Sequence, residues 1–158
     1  MIQKRNAFLE NAAFLHDRFA FVPLLYGSLG LSLRLNEPLS VDDIDILIPQ
    51  YFFAEGWELF CTDLVAAGYT LVDVHEHTFV RDGIAFSYAA IESLSPFAGI
   101  PEEEIEVVTC AGIDFRLLTL EQYRRVYQAS MQDGYRIHVR QKKDGDKLAR
   151  IEQVLGRR

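Results

Sequence analysis

The stretch LLYGSLGLSLRLNEPLSVDDIDILIP, residues 24–49, determines how the rest of the chain is interpreted. An apolar run leads directly into Gly27 and Ser28, and a short helical pattern follows. After the turn NEPLS comes a second apolar run, in which Asp43 and Asp45 occupy alternate positions. This order predicts a strand, a Gly-Ser turn with Ser28 as the N-cap of a helix, and then a second strand.

The two aspartates point to a metal site. Alternate residues of a strand project from one face, so Asp43 and Asp45 share a face with Leu47. Two carboxylates about 6 Å apart repel by roughly 3 kcal/mol at an effective dielectric constant of 20. Mg²⁺ prefers oxygen ligands and reverses that repulsion, so we predict that Asp43 and Asp45 bind a divalent cation. The alternative is an acidic strand start that faces solvent at a sheet edge.

The Gly-Ser pair points to a phosphate. Gly27 lets the backbone approach a ligand closely, and the free N–H groups at the start of the next helix attract an anion. The Ser28 hydroxyl can donate a hydrogen bond to a phosphate oxygen. The alternative is an ordinary helix N-cap that follows a strand.

Together, YGS at 26–28 and DID at 43–45 resemble the signature of the DNA polymerase β-type nucleotidyltransferase superfamily. The resemblance is closest to the small minimal nucleotidyltransferases, the aminoglycoside and lincosamide resistance enzymes and the AbiEii-type toxins. It implies that Gly27 and Ser28 bind the triphosphate of an NTP substrate. It also implies that Asp43 and Asp45 are catalytic and hold Mg²⁺ or Mn²⁺.

Two further features concern the same resemblance. The segment KKDGDKLARIEQVL is similar to the Lys-Asp pair that opens the last helix of small members, which implies that Lys143 faces the phosphates. The family also carries a third carboxylate on a later strand, but the matching strand here, GIAFSYAAIE, has no acid on either face. Ser87 is the best match for that position, and Glu92 and Asp114 are the possible replacements.

The resemblance predicts an enzyme, although the third catalytic carboxylate is not found. It would transfer a nucleoside monophosphate from an NTP to a hydroxyl group of a small molecule, a protein or a tRNA. The alternative is a catalytically degenerate protein that keeps the fold and acts as a nucleotide-binding or protein-interaction module. A plain α+β interaction domain with surface aspartates is a third hypothesis.

The remaining patterns predict an α+β fold, a mixed sheet with helices packed against it, in one domain over residues 1–158. Apolar spacing indicates a helix over 5–19, within an N-terminal helical segment 1–20, and another from about Phe52 to Ala67. Five short strands and the C-terminal helices of segment 119–158 follow. The strands are YTLVDVHE, TFVRDG, IAFSYAAIE, IEVVTC and IDFRLLT, and the helices lie near 120–131 and 144–155.

Composition narrows the location and the partners. Apolar residues make up 49% of the chain, yet its longest apolar runs are about half of the roughly 20 residues that span a membrane, so we expect a cytoplasmic protein without a membrane partner. Two cysteines show no metal-ligand spacing. The net charge of −7 argues against general DNA binding, although Arg140, Lys142 and Lys143 form a local basic patch.

Overall fold

The computed structural model describes residues 2–132 and 136–156, with side chains described for 2–132 and 143–156. Within these ranges the chain forms six α-helices and seven strands. The helices are α1 (Ile2–Phe19), α2 (Gly27–Leu35), α3 (Trp57–Ala66), α4 (Leu94–Ala98), α5 (Leu120–Gln132) and α6 (Arg136–Leu155). The strands are β1 (Leu24–Tyr26), β2 (Ile44–Ile48), β3 (Thr70–Asp73), β4 (Thr78–Arg81), β5 (Ile84–Ala90), β6 (Val107–Cys110) and β7 (Ile113–Leu117).

All seven strands belong to one mixed sheet, in the order β3-β4-β5-β2-β1-β7-β6. β2 runs antiparallel to β1 and parallel to β5, whereas β3, β4 and β5 form an antiparallel meander. On the other side β1 pairs with β7 in parallel, and β7 pairs with β6 as a hairpin. The predicted α+β class with a mixed sheet is confirmed, and the aspartate-bearing strand lies at the centre of the sheet.

Helices cover both faces of the sheet and create two apolar cores. The first core packs α1 and α3 against the face of β2 that carries Ile44, Ile46 and Ile48. The second core packs α4, α5 and α6 against the opposite face, which carries Leu24 and Leu47. The alternation that was predicted for β2 is therefore observed, and it directs the two aspartates to the second face.

Several predicted helix starts differ from the structure. Helix α1 begins at Ile2 rather than at residue 5, and the helix predicted from about Phe52 begins at Trp57. Helix α2 begins at Gly27 with Tyr26 as its N-cap residue, and that cap makes no side-chain hydrogen bond. The prediction that Ser28 is the N-cap was wrong, because Gly27 adopts a left-handed φ of 65° and lets the helix start earlier. Helix α6 begins at Arg136 rather than near Asp144.

None of the helices in the described ranges combines the length and the apolar character that a membrane crossing requires.

Candidate active site

The Gly-Ser turn and the aspartate strand are in direct contact. Tyr26, the last residue of β1, lies opposite Asp45 in the antiparallel β1–β2 pair. A Cβ atom at Gly27 would overlap the Asp45 carboxylate. A residue without a side chain is therefore needed here both for the left-handed backbone and for the close approach of the two motifs.

Tyr123 of α5 stabilises this turn by a hydrogen bond. Its hydroxyl donates to the Gly27 carbonyl oxygen at 3.2 Å, and a Cβ atom at Gly30 would overlap that hydroxyl. Burial raises the pKa of the Tyr123 hydroxyl well above its ordinary value near 10, so the group remains a hydrogen-bond donor at neutral pH. Because Tyr123 is part of the second apolar core, this core holds the Gly-Ser turn in place.

Asp43 and Asp45 lie together on the face that the sequence predicts. Asp43 is exposed and Asp45 is half-buried, and both line one cavity of about 760 Å³. The same cavity is lined by Gly27 and Ser28. Four of the five predicted site residues are therefore brought together.

The fifth predicted residue, Lys143, is exposed and does not line this cavity. Lys147, one helical turn further along α6, takes a place beside the turn: its Nζ donates to Ser28 Oγ at 2.8 Å. The same Nζ lies 5.6 Å from the centre of the Tyr127 ring, within cation–π range. Sequence reasoning did not single out Lys147, although it lies four residues before the buried Ile151 and so on the inward side of α6.

Ser87 is the residue that the sequence resemblance matches to the family's third carboxylate. It lies opposite Asp45 on the neighbouring strand β5, and its hydroxyl donates to Asp43 Oδ2 at 3.2 Å. The Thr78 hydroxyl is 2.8 Å from Ser87 Oγ. A pair of linked hydroxyl groups thus stands where an acid was expected.

The two suggested replacements for that acid lie elsewhere. Glu92 accepts hydrogen bonds from the Gln50 backbone N–H at 3.0 and 3.1 Å. Asp114 accepts from the Thr109 hydroxyl at 2.5 Å on the far hairpin. Neither residue lines the cavity.

The strand register places one row of polar side chains across four strands. Asp45 of β2 faces Ser87 of β5, Ser87 faces Thr78 of β4, and Thr78 faces Asp73 of β3. Asp73 is three strand spacings from Asp45, or about 14 Å. Asp73 and Glu76 line the cavity as well, and sequence reasoning missed both of them.

A buried carboxylate also opens onto the cavity. Asp144 of α6 is 3% exposed and accepts a hydrogen bond from Ser130 of α5, which is 2% exposed. Both residues line the cavity on the side of Lys147. The helices α5 and α6 therefore add polar groups to the wall beside the Gly-Ser turn.

The donor set at β2 suits a hard divalent cation. Among the side chains that the structure describes, no group of three or more His, Cys, Asp and Glu is placed to hold a metal ion. Asp43 and Asp45 are nevertheless two adjacent carboxylates that open into a cavity. Mg²⁺ is commonly held by one or two carboxylates, with water and substrate phosphates as its other ligands, so these residues fit it.

Similarity to solved structures defines the class of the fold. The chain matches the solution structure of the antibiotic-resistance factor ANT(2″)-Ia with a TM-score of 0.64 and 12% identity, over 98% of this chain and 86% of that one. It matches a crystal structure of ANT(2″)-Ia in complex with adenylyl-2″-tobramycin with a TM-score of 0.60 and 13% identity, over 96% and 90% of the chains. The chain therefore has a nucleotidyltransferase-like fold, similar to that of ANT(2″)-Ia.

Sequence similarity defines the family. No protein-family model matches the chain. The chain is 35% identical over 150 residues to the uncharacterized protein YnaI of Bacillus subtilis (strain 168). The matched region covers 95% of this chain and 96% of YnaI. The chain belongs to the same family as YnaI.

Proposed function

We propose that the protein is a nucleotidyltransferase that transfers a nucleoside monophosphate from an NTP to a hydroxyl group of a small molecule. One observation carries the proposal: the Gly-Ser turn with its lysine and the pair of aspartates line the same cavity. This reaction needs both phosphate-binding and cation-binding groups, and the candidates for both lie at the centre of the sheet, which supports the proposal.

The nucleotide would lie on the β1 side of the aspartates. Ser28 and the free N–H groups in the first turn of α2 would bind its phosphates, since a helix N-terminus favours an anion. Lys147 would add a positive charge beside Ser28. Tyr127, Ser130 and Asp144 line the cavity next to this lysine, on the same side of the aspartates.

Asp43 and Asp45 would hold Mg²⁺ or Mn²⁺. The bound cation would neutralise negative charge on the phosphates during transfer. The protein groups would align the nucleotide, so that the acceptor oxygen attacks the α-phosphorus from the side opposite to pyrophosphate. Gly27 and Tyr123 would keep the Gly-Ser turn at a fixed distance from Asp45.

A small-molecule acceptor suits the cavity. A volume of about 760 Å³ is within the range of small-molecule sites. One structural neighbour binds adenylyl-2″-tobramycin, which supports a hydroxyl-bearing small molecule as the acceptor class. The chain's net charge of −7 makes a long nucleic acid a poor acceptor.

Thermal unfolding with each of the four common NTPs, with and without Mg²⁺, tests the nucleotide site. A ligand at 100 times its Kd stabilises the folded state by about 2.7 kcal/mol, which raises the melting temperature by several degrees. We expect such a shift only when Mg²⁺ is present. It should disappear in Asp43→Asn and Asp45→Asn and persist in Asp17→Asn, which removes an exposed charge from α1.

Pyrophosphate release tests the transfer itself. With a suitable NTP and a panel of hydroxyl-bearing small molecules, wild type should release pyrophosphate and Asp45→Asn should not. A Mg²⁺-dependent thermal shift without any pyrophosphate release would instead identify a nucleotide-binding module. The absence of a shift with all four NTPs would contradict the proposed nucleotide site.

A further inference from the structure

We propose that Glu76, in the turn between β3 and β4, is the general base that removes the proton from the acceptor hydroxyl. The inference rests on the proposed nucleotidyl transfer and names the residue that completes its site. The resemblance places the general base on strand β5, but β5 has no acidic residue. The inference therefore assigns this role to a residue of the β3–β4 turn.

The sheet order places the acceptor next to this turn. The β1 side of the cavity contains Ser28 and Lys147, whereas the β5 side continues to β4 and β3. If the triphosphate occupies the β1 side, an acceptor that approaches the α-phosphorus from the opposite side must lie against the β3–β4 hairpin. Val72, Asp73 and Glu76 form the wall there.

The turn is held in place. The Glu76 backbone N–H donates to Asp73 Oδ1 at 3.1 Å, and the Tyr88 N–H donates to the His77 carbonyl oxygen at 3.2 Å. The ring of His77 lies with its centre 4.5 Å from that of Phe53 and 5.1 Å from that of Trp57. These contacts fix the backbone at Glu76 while its side chain stays 69% exposed.

The other polar groups of the cavity have different tasks. Asp43 and Asp45 are the cation ligands of the proposed reaction. Ser87 is hydrogen-bonded to Asp43 and to Thr78, and a hydroxyl cannot accept a proton at neutral pH.

Two further acids line the cavity, and each carboxylate accepts a hydrogen bond inside the protein. Asp73 uses a carboxylate oxygen to hold the turn. Asp144 is buried against Ser130 on the nucleotide side. The Glu76 carboxylate lies 3.9 Å from Nε2 of the exposed His75 and is otherwise open to solvent, so it can pass a proton to water.

The chemical step is balanced. The acceptor oxygen forms a bond to the α-phosphorus, the bond from the α-phosphorus to the bridging oxygen breaks, and pyrophosphate leaves with that electron pair. The proton of the acceptor hydroxyl passes to the Glu76 carboxylate and then to water. A positioned base of this kind accelerates a reaction by about 10²–10⁴-fold.

The test compares Glu76→Gln with wild type in two assays. Initial rates of pyrophosphate release are measured with a panel of hydroxyl-bearing acceptors that includes tobramycin, and with water alone as the background. The thermal shift with NTP and Mg²⁺ is measured in parallel. Glu103→Gln, which removes an exposed carboxylate outside the cavity, is the matched control, and Asp73→Asn keeps an oxygen for the turn.

We expect Glu76→Gln to lower the rate by at least about 100-fold. Its nucleotide-induced shift should equal that of wild type, and Glu103→Gln should keep the full rate. A wild-type rate in Glu76→Gln, or the large loss in Asp73→Asn alone, would overturn the assignment and leave the proposed function intact. If wild type releases no pyrophosphate with any acceptor, the proposed function and this inference both fail.

Discussion

Gly27 is the residue at which the two sequence motifs meet. Its left-handed backbone starts α2, and its missing side chain leaves room for the Asp45 carboxylate. The proposed phosphate-binding and cation-binding groups are therefore adjacent because Gly27 has no Cβ atom. An alanine at this position would have to move either the turn or the aspartate.

The first prediction concerns Gly27→Ala. We expect it to lower the free energy of unfolding by about 1–3 kcal/mol, as measured by urea denaturation, and to weaken the Mg²⁺-dependent NTP shift. Gly68→Ala is the matched control, because Gly68 also has a positive φ, 95°, but a Cβ there meets open space. Equal losses of stability, with the NTP shift intact, would contradict the proposed contact.

The second prediction separates the two lysines of α6. Lys147→Gln should reduce the NTP-induced rise in melting temperature, because Lys147 binds Ser28 beside the proposed phosphate position. Lys143→Gln should leave that rise unchanged, because Lys143 is exposed outside the cavity. The opposite result would favour the sequence-based assignment of Lys143.

Local chemistry made some of these residues predictable. A Gly-Ser pair after an apolar run and two aspartates at alternate strand positions are visible without a fold. Lys147 was missed because three lysines lie within six residues, and only the face of α6 that buries Asp144 and Ile151 distinguishes them.

Among the elements, α5 has a direct effect on the site. Its residue Tyr123 donates a hydrogen bond to Gly27 at the end of β1 and supports the start of α2. The hydroxyl is buried, so no water can replace it readily when it is removed. Helix α5 therefore stabilises the Gly-Ser turn as well as the second core.

The third prediction tests this support. Tyr123→Phe should cost about 1 kcal/mol of unfolding free energy, the usual net value of one hydrogen bond, and should reduce the NTP-induced thermal shift. Tyr51→Phe removes a hydroxyl from a side chain that is 55% exposed and should change neither quantity. Equal behaviour of the two variants would show that the contact with Gly27 contributes nothing.

Individual strands were easier to predict from the sequence than the pairing between strands. The strands of the β3–β5 meander were found because apolar alternation and tight turns are local signals. The row from Asp45 to Asp73 was not predicted, because it depends on β2 pairing with β5, some forty residues away. Glu76 consequently had no sequence signal that linked it to the aspartates.

For the whole molecule, two buried tyrosines predict how stability depends on pH. Burial raises the pKa of both Tyr88 and Tyr123 well above the ordinary value near 10. The unfolded chain therefore loses these protons at lower pH than the folded protein. Stability should be complete below about pH 10 and should fall as the pH rises above that value.

The fourth prediction follows from that sign. The urea concentration at the unfolding midpoint of wild type should be lower at pH 10.5 than at pH 8. Tyr123→Phe should show a smaller fall, because it has one fewer buried phenol to ionise. A flat wild-type profile, or equal slopes in the two proteins, would contradict this account.

The order of the strands also has a consequence for how such proteins diversify. The proposed nucleotide side of the cavity joins distant parts of the chain, because Ser28 and Lys147 are separated by more than a hundred positions. On the opposite side, the lining residues of the β3–β5 meander come from one continuous segment, residues 72–89. If the proposed function holds, replacing that short segment would exchange the acceptor wall as a unit, and acceptor specificity could change while the proposed nucleotide-binding residues stay the same.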